Sequence, residues 1–147
     1  MRNALLIGHI ASAMLLIGPA TFATSAFPRQ ATAAANGDTA ALGAARVLHR
    51  VSRSYGNTSL IVGAIGVALA QQGSWWNQAW VWISLVVFAI ASAILILLVI
   101  PTQANLLDKA EVGEPIDPAT KGRLHSITGL YSILWLIVLA LMIIKPG

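Results

Sequence analysis

Apolar residues fall into long blocks that short polar connections separate. The longest stretch without Asp, Glu, Lys, Arg or His covers residues 54–107, and its centre, residues 79–100, is apolar apart from Ser84 and Ser92. A helix of that central length reaches about 33 Å, which matches a hydrocarbon layer about 30 Å thick. We therefore predict that residues 79–100 cross a membrane.

Three further blocks are predicted to cross the membrane, and they comprise residues 4–24, 57–72 and 124–144. The second of the four spans has the shortest apolar centre, so it needs cover from its neighbours. Gly63, Gly66 and Ala70 lie on one of its faces and favour close packing against other helices. The predicted fold is all-α: a transmembrane four-helix bundle that forms a single domain over residues 1–147.

A basic amphipathic helix is predicted to lead into the second span, with Asp38 as its N-cap and Tyr55 near its end. One face is apolar and the opposite face is basic, which is typical of a helix at the lipid headgroup surface. We predict that the basic face contacts lipid headgroups, and a specific anionic ligand site is the alternative. The residues of this face are Arg46, His49, Arg50 and Arg53.

The other connections are predicted to be polar, and prolines mark two of the helices. Residues 30–37 are predicted to form a linker, and residues 108–118 a solvated acidic loop. Pro19 removes a backbone donor and predicts a kink near the end of the first span, whereas Pro101 predicts a kink or the end of the third helix. Asp117 is predicted to cap the fourth helix.

Four tryptophans cluster around the connection between the second and third spans: Trp75, Trp76, Trp80 and Trp82. Tryptophan is enriched where a helix meets the membrane surface, so we interpret the cluster as an interfacial aromatic belt. A stacking site for a sugar or a quinone is the alternative.

The composition agrees with a membrane location, since 57% of the residues are hydrophobic and 10% are charged. The net charge of +4 does not indicate a nucleic-acid binder, because the Lys and Arg residues are dispersed between apolar spans. The absence of cysteine excludes disulfides, thiolate metal sites and covalently attached c-type haem.

The distribution of Lys and Arg predicts the orientation. All of them except Arg2 and Lys145 lie in the connections after the first and third spans. The positive-inside rule then places both connections in the cytoplasm and both termini outside, as in a multi-pass protein of the bacterial inner membrane. The first span also resembles a signal peptide that ends before Phe27. Cleavage would translocate the arginines that follow, so we predict an uncleaved span and keep cleavage as the alternative.

His9 is the one ionisable side chain well inside a predicted span, and such residues are candidates for function. It borders a face of small residues, which directs it toward the bundle, where an imidazole can ligate haem or copper or pass a proton. The alternative is a neutral imidazole that hydrogen-bonds to a neighbouring helix. Met142 is predicted on the same side of the bilayer as a candidate second haem ligand, whereas His49 and His125 fall near the opposite edge.

Three segments resemble a bacterial family of predicted four-span integral membrane proteins, the domain-of-unknown-function family 2269 (DUF2269). They read LLIGHIASAMLLIGPATFATSAFPR near the N-terminus, RVLHRVSRSYG in the basic helix and ILWLIVLALMIIKPG at the C-terminus. The early histidine is similar, more distantly, to that of haem-associated protoporphyrinogen oxidases and copper-resistance membrane proteins, a resemblance that implies a role for His9. Those oxidases also use a lysine in a later helix, whereas this chain has no lysine between Arg53 and Lys109.

The sequence predicts a small membrane protein without its own catalytic site, which acts as an accessory or interaction subunit toward another membrane protein in the lipid bilayer. It contains no nucleotide-binding, hydrolase or metalloprotease motif. The alternative is a redox protein that binds haem b or copper through His9. A small-molecule carrier is the third alternative.

Overall fold

The computed structural model of the protein describes residues 2–145 and confirms the all-α bundle. No strand occurs within those residues. A short 3₁₀ turn, Trp75–Asn77, precedes the fourth helix. The helices are α1 (Arg2–Ala35), α2 (Thr39–Thr58), α3 (Leu60–Gly73), α4 (Ala79–Glu111) and α5 (Pro118–Ile144).

The helices run antiparallel, and their tightest packing lies in the half of the bundle next to the α1–α2 and α4–α5 connections. There α1 packs along α2, and both contact the end of α4. We call this half the closed half, and the half that contains the α3–α4 connection the open half. The largest side chains of the core are at most 1% exposed, and they are Phe27, Leu95, Leu106, Leu124 and Tyr131.

Small residues explain how closely α1 and α2 approach each other. Ala20, Ala23 and Ala31 of α1 and Ala45 of α2 have no exposed surface. Such short side chains let two helix backbones come close together. Van der Waals contact then replaces the hydrophobic driving force that is missing between helices in lipid.

Three helices are long and apolar enough to cross a membrane, namely α1, α4 and α5. With 14 residues, α3 is shorter and reaches about 21 Å. Only Ser59 separates it from α2, however, and Ser59 keeps helical backbone angles, with φ −62° and ψ −17°. A crossing by α3 together with the end of α2 stays a prediction.

Two connections between helices are shorter in the structure than the sequence predicts. The linker predicted over residues 30–37 is helical except for its last two residues, and the acidic loop predicted over residues 108–118 shrinks to residues 112–117. Both predictions are wrong because alanine favours helix and because packing extends the helices beyond their apolar blocks. Buried alanines hold these helix ends together, and they are Ala34, Ala41 and Ala110.

Pro19 and Pro101 each follow a π-helical segment, Ala13–Ile17 in α1 and Ile94–Val99 in α4. Proline has no N–H to donate, and its ring crowds the carbonyl one turn earlier. A wider π turn just before the ring accommodates both effects. Both helices continue through their prolines, so the end of the third helix predicted as one outcome at Pro101 does not occur.

Two predicted helix caps are confirmed. The Asp38 carboxylate accepts a hydrogen bond from the Ala41 N–H at 3.0 Å, at the start of α2. The Asp117 carboxylate accepts from the backbone N–H groups of Ala119 and Thr120 at 3.4 and 3.3 Å, at the start of α5. Each cap satisfies backbone donors that have no partner within the first helical turn.

Candidate intramembrane ligand site

A cavity of about 1010 Å³ occupies the open half of the bundle, between α1, α3, α4 and α5. It forms because α5 packs against the Gly18–Ala35 part of α1 and separates from the part before it. Exposed apolar side chains border the resulting gap, and they include Met14, Leu136 and Ile143. The cavity therefore opens sideways between α1 and α5, toward the bilayer.

His9 lies in the wall of this cavity, on α1. The residue is 7% exposed, and its Nδ1 is enclosed without a hydrogen-bond partner among the described residues. The imidazole packs against Gly66 of α3, where an added Cβ would lie 3.1 Å from the ring Cε1, and it lies beside the backbone of Val62. The absence of a side chain at position 66 thus lets the ring approach the α3 backbone.

Met142 lies in the wall that α5 contributes. Its depth can be compared with that of His9, because Thr21 of α1 lies beside the hydroxyl of Tyr131 on α5. Toward the open end, His9 is about 18 Å from Thr21 and Met142 is about 16.5 Å from Tyr131, at about 1.5 Å per residue. The two side chains therefore border the cavity at the same depth, to within about one helical turn.

Few other polar groups reach the cavity. The Ser84 hydroxyl and the Trp135 indole N–H are enclosed and have no hydrogen-bond partner within residues 2–145. Both atoms have almost no accessible surface, so the cavity wall presents mainly apolar groups to a bound molecule. A mainly apolar pocket with a few convergent polar groups is the usual form of a site for a small molecule or cofactor.

Lys145, Trp75 and Trp80 form the outer rim of the cavity. The Lys145 ammonium lies 5.3 Å from the ring centroid of Trp75 and 5.9 Å from that of Trp80. We call these three residues the rim. The sequence predicts a belt for the tryptophans and no contact with Lys145, because no sequence pattern brings residues so distant in the chain together. The belt stays a prediction for the cluster as a whole.

The residues predicted to contact lipid headgroups divide into two groups. His49 turns toward α4, where its Nδ1 lies 3.3 Å from Oε1 of the buried Gln103. Arg46 forms an ion pair with Glu111 at 2.8 Å, which links α2 to the end of α4. Headgroup contact stays a prediction, and the structure separates His49 from the exposed residues of this surface, which are Arg46, Arg50 and Arg53.

The histidines do not converge on one site. His125 is exposed on α5 in the closed half, away from His9. Within residues 2–145, no group of three or more His, Cys, Asp or Glu side chains is close enough to hold a metal ion. A metal centre that needs one or two side-chain ligands, such as a haem iron, is the kind that His9 fits.

A family model described as a predicted integral membrane protein (DUF2269) matches residues 3–146. The matched region runs from the start of α1 past the end of α5 and contains the whole cavity. No curated protein and no solved structure matches the chain.

Proposed function

The chain belongs to the DUF2269 family of predicted integral membrane proteins, and from this premise we propose that it binds a b-type haem in the cavity, with His9 as an axial ligand. One observation carries the proposal: the His9 imidazole lies in the wall of a mainly apolar cavity of about 1010 Å³, with its Nδ1 enclosed against α3. Sites for small ligands and cofactors usually measure about 300–1,000 Å³. A bound haem supplies one-electron redox chemistry, so the protein acts as a membrane redox protein.

The side chains around the cavity suit a haem. With Nδ1 enclosed beside the Val62 backbone, Nε2 is the His9 nitrogen available to the cavity. Histidine ligands usually donate their second ring N–H to a carbonyl or carboxylate. Nδ1 makes no such bond among the described residues, and the packing of the ring against Gly66 is what holds it in place. Met142 offers a thioether at a matching depth, and a His/Met pair raises the reduction potential of a haem iron.

Copper has weaker support than haem. The imidazole and thioether donors that line the cavity are His9, Met14 and Met142. Met14 lies about 140° round α1 from His9 and is 72% exposed at the gap, so His9 and Met142 are the two donors that face each other across the cavity. A copper ion would take all of its ligands from such side chains, whereas a haem iron takes most of them from the porphyrin. The small donor set therefore favours a metal that arrives already ligated.

The test is an absorption spectrum of the detergent-purified protein, oxidised and reduced, before and after addition of hemin. We expect a Soret band in the wild type and its loss in His9→Ala. His49→Ala is the matched control, because His49 lies outside the cavity, and we expect it to keep the band. Met142→Leu should keep the band but alter the oxidised spectrum, since it removes the sulfur and roughly preserves the volume.

A purified protein without a Soret band, together with added hemin that absorbs as it does without protein, would contradict the proposal. An accessory role toward another membrane protein is then the second candidate, with the α1–α5 gap as the place that a partner helix would fill. The side chains of Met14, Leu136 and Ile143 are 72%, 64% and 71% exposed. Because the chain has no cysteine, a single Leu136→Cys variant can be cross-linked in native membranes. A discrete larger adduct would support the accessory role, and its absence would oppose it.

A further inference from the structure

Lys145 is a cation at the rim whose acidic counterparts lie at the other end of the molecule. The chain has five acidic residues, and they are Asp38, Asp108, Glu111, Glu114 and Asp117. All five lie in the closed half, at the helix ends and connections described above. The ion pair found in the described part of the chain joins Arg46 to Glu111 there. The positive charge of Lys145 is therefore not balanced by a carboxylate of residues 2–145.

The two tryptophans of the rim contact this ammonium. Trp75 and Trp80 pack against each other with 5.9 Å between their ring centroids, and the Lys145 ammonium lies over both rings. Trp75 also packs on Gly73, where an added Cβ would clash with its ring. A cation over two indole faces is attracted by their π systems. The exposed Lys145 side chain thus lies over the rings of Trp75 and Trp80.

We infer that the cavity takes an amphiphile with an apolar body and an anionic end, and that Lys145 is the anchor for the anionic group. The inference deepens the proposed function and rests on it, because the porphyrin of a b-type haem is such an amphiphile, with two carboxylates. Lys145 lies about 4.5 Å beyond Met142 along α5, toward the end of the helix. An amphiphile in a bilayer keeps its charged end at the surface, so entry through the α1–α5 gap brings that end to the rim.

Hemin and hemin dimethyl ester are the probes, since esterification removes both negative charges and leaves the ring. Haem-free protein in nanodiscs of zwitterionic phosphatidylcholine is titrated with each probe and followed at the Soret band. We expect the wild type to bind hemin about tenfold more tightly than the ester, as for a charge-assisted pair at a partly shielded site. Lys145→Met should reduce the ratio to about one, and Lys145→Arg should restore it.

Lys121→Met is the matched control, because Lys121 lies near the start of α5 whereas Lys145 directly follows the end of that helix. It should retain the wild-type ratio. His9→Ala should lose the Soret band of ligated haem, and its preference for the acid is then measured with cis-parinaric acid and its methyl ester, which separates ligation from anchoring. A Lys145→Met protein that keeps the wild-type preference would overturn the anchor.

The fluorescent fatty acid cis-parinaric acid and its methyl ester separate the anchor from haem binding. Binding is followed by energy transfer from tryptophan in the same nanodiscs. A preference for the acid that Lys145→Met abolishes supports the anchor even where no Soret band forms, in which case the proposed function alone fails. Equal affinity for acid and ester in both probe pairs, or no binding of any probe, overturns the anchor.

Discussion

At the scale of single residues, two glycines of α3 determine how two of the side chains that line the cavity are placed. A Cβ at Gly66 would lie 3.1 Å from His9, and a Cβ at Gly63 would lie 2.6 Å from the ring of Phe88. The sequence predicts these glycines as a face for helix packing. In the structure they receive large side chains that line the cavity, so the missing atoms determine the position of a candidate ligand.

Gly66→Ala tests this role of the backbone. The added Cβ would lie closer to the imidazole than an ordinary van der Waals contact allows. We therefore expect the imidazole to move and the affinity for hemin to fall about threefold to tenfold. Gly8→Ala is the matched control, because Gly8 precedes His9 directly and an added Cβ there meets nothing within 4 Å. Hemin titration at the Soret band measures both variants. Equal affinities in the two variants would show that Gly66 does not position the ring.

At the scale of the helices, α2 meets α4 where the closed half of the bundle ends. Gly56 is buried there, and a Cβ added to it would lie 2.7 Å from Leu95, which belongs to the π-helical segment Ile94–Val99. The wider turn of that segment moves side chains relative to a regular α-helix. The missing side chain of Gly56 in α2 therefore makes room for the π-helical segment of α4.

A pair of substitutions within α2 tests this contact. We expect Gly56→Ala to lower the free energy of unfolding by about 1–3 kcal/mol, because the extra methyl overfills the space beside Leu95. Gly43→Ala adds the same methyl where nothing lies within 4 Å, so the helix propensity of alanine should stabilise it by up to about 1 kcal/mol. Unfolding in mixed dodecyl maltoside and dodecyl sulfate micelles compares both variants with the wild type. Destabilisation of similar size in both would contradict the proposed contact.

The elements could be predicted from the sequence more readily than their ends. Hydrophobic blocks of membrane length and two aspartate caps identify the long helices, because both signals are local. The helical continuation through Pro101 and over residues 108–111 depends on packing against α1 and α2, which no local pattern reveals. The same limit applies to the π-helical segments, since their wide turns are a response to the prolines within a bundle.

At the scale of the whole molecule, the candidate site arises from a difference between the two halves of the bundle. His9 could be predicted because an ionisable side chain inside a span is conspicuous in any sequence. The rim could not, because Lys145 meets Trp75 and Trp80 only where α5 has separated from the first part of α1. The cavity depends on how the helices diverge, which cannot be predicted from the hydrophobic pattern of any one helix.

The number of crossings is also a property of the whole molecule, and it decides on which side of the membrane the rim lies. The chain has no cysteine, so single variants Gly37→Cys, Asn77→Cys and Gly113→Cys can be labelled with a membrane-impermeant maleimide in intact and permeabilised cells. Four crossings place Gly37 and Gly113 on one side and Asn77 on the other. Three crossings, by α1, α4 and α5 alone, place Gly37 and Gly113 on opposite sides. We expect only the Asn77→Cys variant to react in intact cells. The end of α2 continues into α3 with Ser59 as the one interruption. The charge-free residues 54–73 then reach about 30 Å, which is long enough for a crossing.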